Sequence, residues 1–492
     1  MAIILLKSIY QRITFNKTCL AFFLFGIVHC FAQVIIGSLL YSVDSENSAL
    51  VTSVIREAEV PRREIAWLTG NSKEFKLHLC TNIPFGATDN FCTTVFDSRH
   101  GNFSIPVAVG FRRSMDGIRL PRQSSIAHRL PIEPMYNISG QTNGVNVSLV
   151  NGTTIFLDEQ CTRLLVYPYQ IFRAFVREDA ALIVFQFWLV CIGFFVIVYE
   201  SRPHLLATLV ARTLVTVWSS YSTWRSGHIA NYISHLMIGA TSPCDVDMFP
   251  TYFRTRIAYE ISMLVVNAVG LLISIFLSFK LLKMFCAQAR KNIDPPKEII
   301  QIYRLFLGFF VCLQLSAFFL ATAMSLWINE LIHGAISRIS TSSHVYRGLF
   351  IATTSLLLPW IAMGWFAVRR EMKKLLAAFL FLGVFYIASW AAMFYSLVFR
   401  WTFTSWPFFA SLAVAAFVML IASCVLGVVC RKNFDKGLAH FLYVEDVLGK
   451  ANFQPGIFTN DANDVERASL DSMRILSSKG TKFVVPTNAI LL

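Results

Sequence analysis

Eight apolar runs, at residues 18–43, 180–199, 205–224, 259–279, 305–326, 348–368, 375–398 and 406–429, constrain this 492-residue chain most. A helix rises 1.5 Å per residue, so a run of about 20 residues crosses ~30 Å of hydrocarbon. In lipid every backbone N–H and C=O needs a partner within the segment, which a helix supplies and an open strand does not. The runs therefore predict an all-α polytopic membrane protein with about eight transmembrane helices. Pro359 and Pro407 do not overturn this, because neighbouring helices can satisfy a freed carbonyl. With 55% hydrophobic and 15% charged residues, the chain has too little polar surface for a soluble fold.

The net charge of +14 does not point to nucleic acid, because the cations sit in short connections beside the runs. Lys and Arg collect in cytosolic loops, so their placement orients the chain. Lys7, Arg12 and Lys17 precede the first run, keeping the N-terminus cytosolic and sending Asp44 across. Lys280, Lys283, Arg290, Lys291, Lys297 and Arg304 share one later connection; Arg369, Arg370, Lys373 and Lys374 share the next. The opposing connections, 225–256, 327–347 and 399–405, hold three, two and one. Trp224, Trp327, Trp401 and Trp406, at the ends of runs, suit an interfacial belt, and packing against other helices suits each one almost as well.

This orientation divides the chain into a cytosolic N-terminus (1–17), a first span (18–43), an extracytosolic domain (44–179), a seven-helix bundle (180–430) and a cytosolic tail (431–492). Two readings of the first run stand side by side. Its 26 uncharged residues suit a retained anchor, whereas Cys30-Phe31-Ala32 ahead of Gln33 offers small residues for a signal peptidase. Within 44–179, alternating segments at 104–110 and 145–150 read as short strands. Asn102, Asn137, Asn146 and Asn151 are N-x-Ser/Thr acceptors in this same segment, so a small, β-rich, glycosylated domain is expected. The one other acceptor triplet, at Asn16, precedes the first run.

Of 11 cysteines, Cys80, Cys92, Cys161 and Cys244 fall on the oxidising side. Four cysteines allow three connectivities; local pairing of Cys80 with Cys92 would leave Cys161 to tie the domain to Cys244. Cys286 and Cys430 lie at cytosolic membrane edges, where palmitoylation or an unmodified thiol both fit. Arg212 reads as the only charge well inside a span; it is an intramembrane functional candidate, set against a side chain that snorkels to the cytosolic edge. Gln186, Asn267 and Gln314 are expected to hydrogen-bond between helices. Residues 437–448 suit a short helix on the membrane surface, and the polar stretch beyond Pro455 is expected to be disordered.

No Walker loop, H-E-x-x-H or nucleophile elbow occurs. His228, His235, Cys244, Asp245 and Asp247 match no standard metal spacing. The expectation is a protein that is not an enzyme, with no catalytic, metal or cofactor residues. Its partners are membrane lipids and an unidentified protein or ligand, without nucleic acid.

Three stretches carry a resemblance: Ala211-Arg-Thr-Leu-Val-Thr-Val-Trp-Ser-Ser-Tyr-Ser-Thr-Trp-Arg225, Met248-Phe-Pro-Thr-Tyr-Phe-Arg-Thr-Arg256 and Gly437-Leu-Ala-His-Phe-Leu-Tyr-Val-Glu-Asp-Val-Leu448. They resemble a group of multi-span membrane proteins of basidiomycete fungi, over roughly 161–458. The resemblance implies a fungal plasma-membrane protein concentrated at hyphal tips and needed for virulence in the plant rather than for growth. It brings no catalytic or ligand-binding residues. Sensing, scaffolding or trafficking support at the hyphal surface is the expected role. A seven-span receptor-like protein with a cleaved signal peptide and a transporter using Arg212 are the rivals.

Overall fold

The computed structural model describes residues 16–61, 64–71, 74–84, 91–99, 132–136, 142–148, 154–238, 242–292, 297–334 and 343–436. The acceptors Asn102, Asn137 and Asn151, the strand expected at 104–110 and the tail helix expected at 437–448 lie outside them, as does the Cys286 side chain.

Helix α1 (Lys17–Glu57) begins at Asn16, whose side-chain oxygen accepts from the Thr18 N–H at 3.0 Å. The acceptor-like triplet ahead of the first run thus serves as a helix cap. The helix does not end with its apolar run at residue 43 but continues to Glu57. After a segment of β-strands come α2 (Glu159–Leu164), α3 (Val166–Val198), α4 (Arg202–Ile238), α5 (Tyr252–Asn292) and α6 (Lys297–His333). Then follow α7 (Ser343–Arg369), α8 (Lys373–Met393), α9 (Leu397–Ser405) and α10 (Pro407–Lys432). Pro407 opens α10 in its first turn, where a missing N–H costs no helix bond, so the expected span at 406–429 is preceded by a separate short helix.

Among the described residues, six helical stretches are long and apolar enough to cross a membrane: α1, α2 with α3, α5, α6, α8 and α10. The other two expected spans coincide with α4 and α7, of 37 and 27 residues. Hydroxyls lower the hydropathy of α4. Thr208, Thr213, Thr216, Ser220 and Thr223 each fold back onto the carbonyl four residues earlier, at 2.8–3.1 Å. Each of these five hydroxyls therefore has its acceptor within the helix. In the bundle α1 packs on α3 and α5, and α4 packs on α3, α5 and α6. Helix α6 lies against α7 and α10, with α8 against α7 and α10.

Among its described residues, the domain between α1 and α2 holds two antiparallel three-stranded meanders, β1 (Ile65–Asn71), β2 (Glu74–Cys80) and β3 (Cys92–Asp97), then β4 (Ile132–Tyr136), β5 (Thr142–Ser148) and β6 (Thr154–Asp158). Gly70, next to last in β1, has φ +111°, and a side chain there would strike the Glu74 carbonyl. In β5, Val145 and Val147 face inward and Asn146 lies on the opposite, half-exposed face. The strand expected at 145–150 thus coincides with β5 as far as Ser148.

One apolar core joins this domain to the outer ends of the helices. Val51 and Val54 of α1 pack with Phe75 and Leu77 of β2, Val145 and Leu157 of the second sheet, Phe172 of α3 and Leu236 of α4. Two disulfides reinforce it. Cys80–Cys92 staples β2 to β3, with Cα atoms 4.0 Å apart, and Cys161–Cys244 ties α2 to the segment before α5, at 4.9 Å.

Candidate functional site: an outer cleft above a buried ionic layer

The helical turns that extend beyond the apolar runs on the side of the strands carry charge inward. Asp44 comes from α1, Glu178 and Asp179 from α3, Arg225 from α4, and Arg256 and Glu260 from α5. All six are at most 7% exposed. They lie at or beyond the ends of the apolar runs, so Arg212 stays the charge well inside one; α1, α3, α4 and α5 continue past their runs and bury their polar ends against one another.

Arg256 is the hub. It pairs with Asp44 and with Glu260, donates to Ser226 Oγ at 3.3 Å, and lies 3.6 Å over the Phe175 ring. Its i,i+4 spacing from Glu260 places both on one face of α5. Glu260 Oε1 also accepts from Ser222 and Ser226, each at 2.9 Å, and Tyr252 donates to Asp44 at 2.9 Å. Arg225 grips Glu178 with both terminal nitrogens, at 3.0 and 2.5 Å, and Trp406 Nε1 donates to the same carboxylate at 2.9 Å. A buried guanidinium is tolerated only when carboxylates and hydrogen bonds replace its water, and this arrangement provides both. Four carboxylates nevertheless face two guanidiniums.

Trp406 also forms part of a cleft of about 330 Å³ between β1 and the outer ends of α3, α6 and α9. Trp67, Tyr167 and Trp401 supply further aromatic walls, with Trp67 and Trp401 edge to face at 6.3 Å. Arg177 pairs with Glu330 and lies 5.7 Å over the Trp406 ring, leaving one buried guanidinium nitrogen without a partner. Arg173 donates to the Tyr169 hydroxyl at 2.7 Å and stacks over the same ring. Two cations against one carboxylate leave the lining with an excess of one positive charge. Aromatic faces with unspent guanidinium donors suit a polar ligand that carries an anionic group and a planar body.

Deeper in the bundle, Arg212 is 5% exposed, so it does not snorkel. It meets His29 Nδ1 of α1 at 3.0 Å and lies 5.2 Å over Phe25. Gly270 of α5 makes room for this imidazole, since a methyl group there would collide with the ring. The sequence marked Arg212 but not His29, because a single histidine in an apolar run carries no distinctive spacing.

The other marked residues separate. Asn267 donates to Ser219 at 2.9 Å across α5 and α4, the interhelical bond expected of it. Gln186 and Gln314 each keep an unpartnered amide oxygen. Cys430 is buried at 3% exposure, which leaves its thiol inaccessible to an acyl donor. Of the four tryptophans, Trp224 is 58% exposed, as a belt residue would be. Trp327, Trp401 and Trp406 are buried in the protein instead. Among the described residues no group of His, Cys, Asp and Glu converges on a metal-sized centre. No protein-family model matches this chain, and neither a curated protein nor a solved structure is significantly similar to it.

Proposed function

We propose that the chain is a multi-pass protein of the fungal plasma membrane that senses an extracellular ligand in the cleft between its outer domain and its helical bundle. The observation that carries this reading is the cleft itself: aromatic walls, an excess guanidinium, and an indole shared with the ionic layer below. A ligand that moves Trp406 alters the donors of Glu178, and through Arg225 the packing of α3 on α4. In this reading α1, α3 to α8 and α10 make eight spans, both termini are cytosolic, and Asn102, Asn137, Asn146 and Asn151 carry glycans. The first run is a retained span, because His29, Gln33 and Asp44 of α1 all bond into the bundle. The resemblance to the basidiomycete group supports a role in infection, and within it the chain resembles a smut-fungus membrane protein involved in tumour formation.

The experiment is a deletion strain complemented by the full chain or by Arg173→Gln/Arg177→Gln. The deletion is expected to grow normally in axenic culture and to lose virulence, the full chain to restore it, and the double variant to reach the surface without restoring it. Full virulence of the double variant would remove the cleft from the function. Glycosidase shifts and protease protection of tagged loops test the topology in the same strains.

A second reading, transport, is favoured by one observation: Arg212 and His29 meet deep in the bundle. Arg212→Gln with unchanged fluxes and unchanged virulence would leave it unsupported.

A further inference from the structure

The ionic layer has an unequal distribution of donors. Glu178 receives both Arg225 nitrogens and the Trp406 indole, and Asp44 receives Arg256 and Tyr252. Glu260 receives Arg256, Ser222 and Ser226 on one oxygen. Asp179 is 3% exposed, and its Oδ2 has no hydrogen-bond partner. It lies within electrostatic reach of Glu178, Glu260, Arg225 and the Tyr252 hydroxyl.

Two guanidiniums are therefore committed to three carboxylates, and the fourth carboxylate is enclosed among like charges. An ionised, unpaired carboxylate at that depth is far more costly than a neutral one. A metal ion does not resolve the imbalance, since the described His, Cys, Asp and Glu side chains do not converge on one.

We propose that Asp179 is an exchangeable proton-binding site, neutral in the resting protein. An O–H bond forms at Oδ2 with a proton taken from solvent and breaks when that proton is returned; nothing is oxidised or reduced. The site's surroundings are Asp44 on α1, Glu178 on α3, Arg225 on α4, Tyr252, Arg256 and Glu260 on α5, and Trp406 before α10. The neutral state leaves Arg225 to Glu178. Proton release makes Asp179 a competitor for Arg225, whose Nε has no partner. Trp406 holds Glu178 from the cleft side, so cleft occupancy and proton occupancy are coupled. That coupling rests on the ligand-sensing reading, whereas the proton site does not.

The test uses the purified full chain without ligand. Infrared spectra of the wild type at neutral pH are expected to show a protonated-carboxyl C=O band that titrates away in alkali. Asp179→Asn is expected to remove that band, and Asp179→Glu to move its frequency. Thermal unfolding is expected to weaken with alkalinity by about one proton's linkage in the wild type and not in Asp179→Asn. Absence of the band from the wild type, or its persistence unchanged in both variants, would overturn the proposal. So would a wild-type pH slope in Asp179→Asn, or Asp179-dependent stabilisation by sodium over potassium in alkali, which would assign a metal cation instead. A failed ligand response with the band intact would count against the cleft alone.

Discussion

Replacing Arg256 with methionine removes the hub's charge and keeps most of its volume. The side chain is 1% exposed, and it compensates two carboxylates, Asp44 at 0% and Glu260 at 4% exposure. Removing one partner of a buried pair costs about 3–5 kcal/mol, because the remaining charge is stranded. The ring contact with Phe175, at 3.6 Å, contributes at least about 1 kcal/mol more. A loss of about 4–6 kcal/mol would consume much of the ~5–15 kcal/mol by which proteins are ordinarily stable. Arg256→Met is therefore expected to run as aggregate in fluorescence-detected size exclusion of the tagged full chain. Arg256→Lys, which keeps the charge but not the planar fork, should fall between it and the wild type. Adding Asp44→Asn to Arg256→Met removes one stranded charge and should recover part of the folded peak. A monodisperse Arg256→Met with an unfolding midpoint close to the wild type would refute the reasoning, as it would show that Asp44 and Glu260 are compensated elsewhere.

Serine at both Cys161 and Cys244 opens a bridge spanning a sequence separation of 83, an expected loss of about 4 kcal/mol in the loop-entropy account, measured as a lowered unfolding midpoint. Burial, and then Lys76, hold the His78 imidazole below its usual 6.5, while Thr69 and Thr94 each lie 3.0 Å from one ring nitrogen. A lowered folded-state value means that the unfolded chain binds the extra proton. The contribution is complete above pH 6.5 and is lost as pH falls towards the folded value. Subtracting the unfolding curve of His78→Gln from that of the wild type between pH 8 and pH 5 should isolate it. Gly270→Ala puts a methyl group against the His29 ring and is expected to cost about 1–3 kcal/mol as the imidazole leaves Arg212, read again from the unfolding midpoint.

The bilayer made the helices legible, because a run long enough to span it has a single backbone solution, and α1, α5, α6, α8 and α10 follow their runs. The disulfide pairs were within reach once the cations had set the facing of each loop. What stayed hidden lies at the ends of the runs. Asp44, Glu178, Asp179, Arg225 and Arg256 look like solvated loop charges when hydropathy alone decides where a helix stops. Two signals pointed the other way: the Arg256–Glu260 spacing of one helical turn, and charges of both signs at the outer boundary of four successive runs. The cleft could not be read in advance, since Trp67, Arg173, Glu330 and Trp401 come from four elements brought together only by the tertiary fold.

Because strands β2, β5 and β6 share their packing with α1, α3 and α4, these described strands move together with the ends of those helices. Force applied to them is delivered to the helices as a tilt of those ends, as a crossbar fixed to several posts leans them together. The buried ion pairs Arg225–Glu178 and Arg256–Asp44 link α3 to α4 and α5 to α1, so a lean of one helix against another changes their separations.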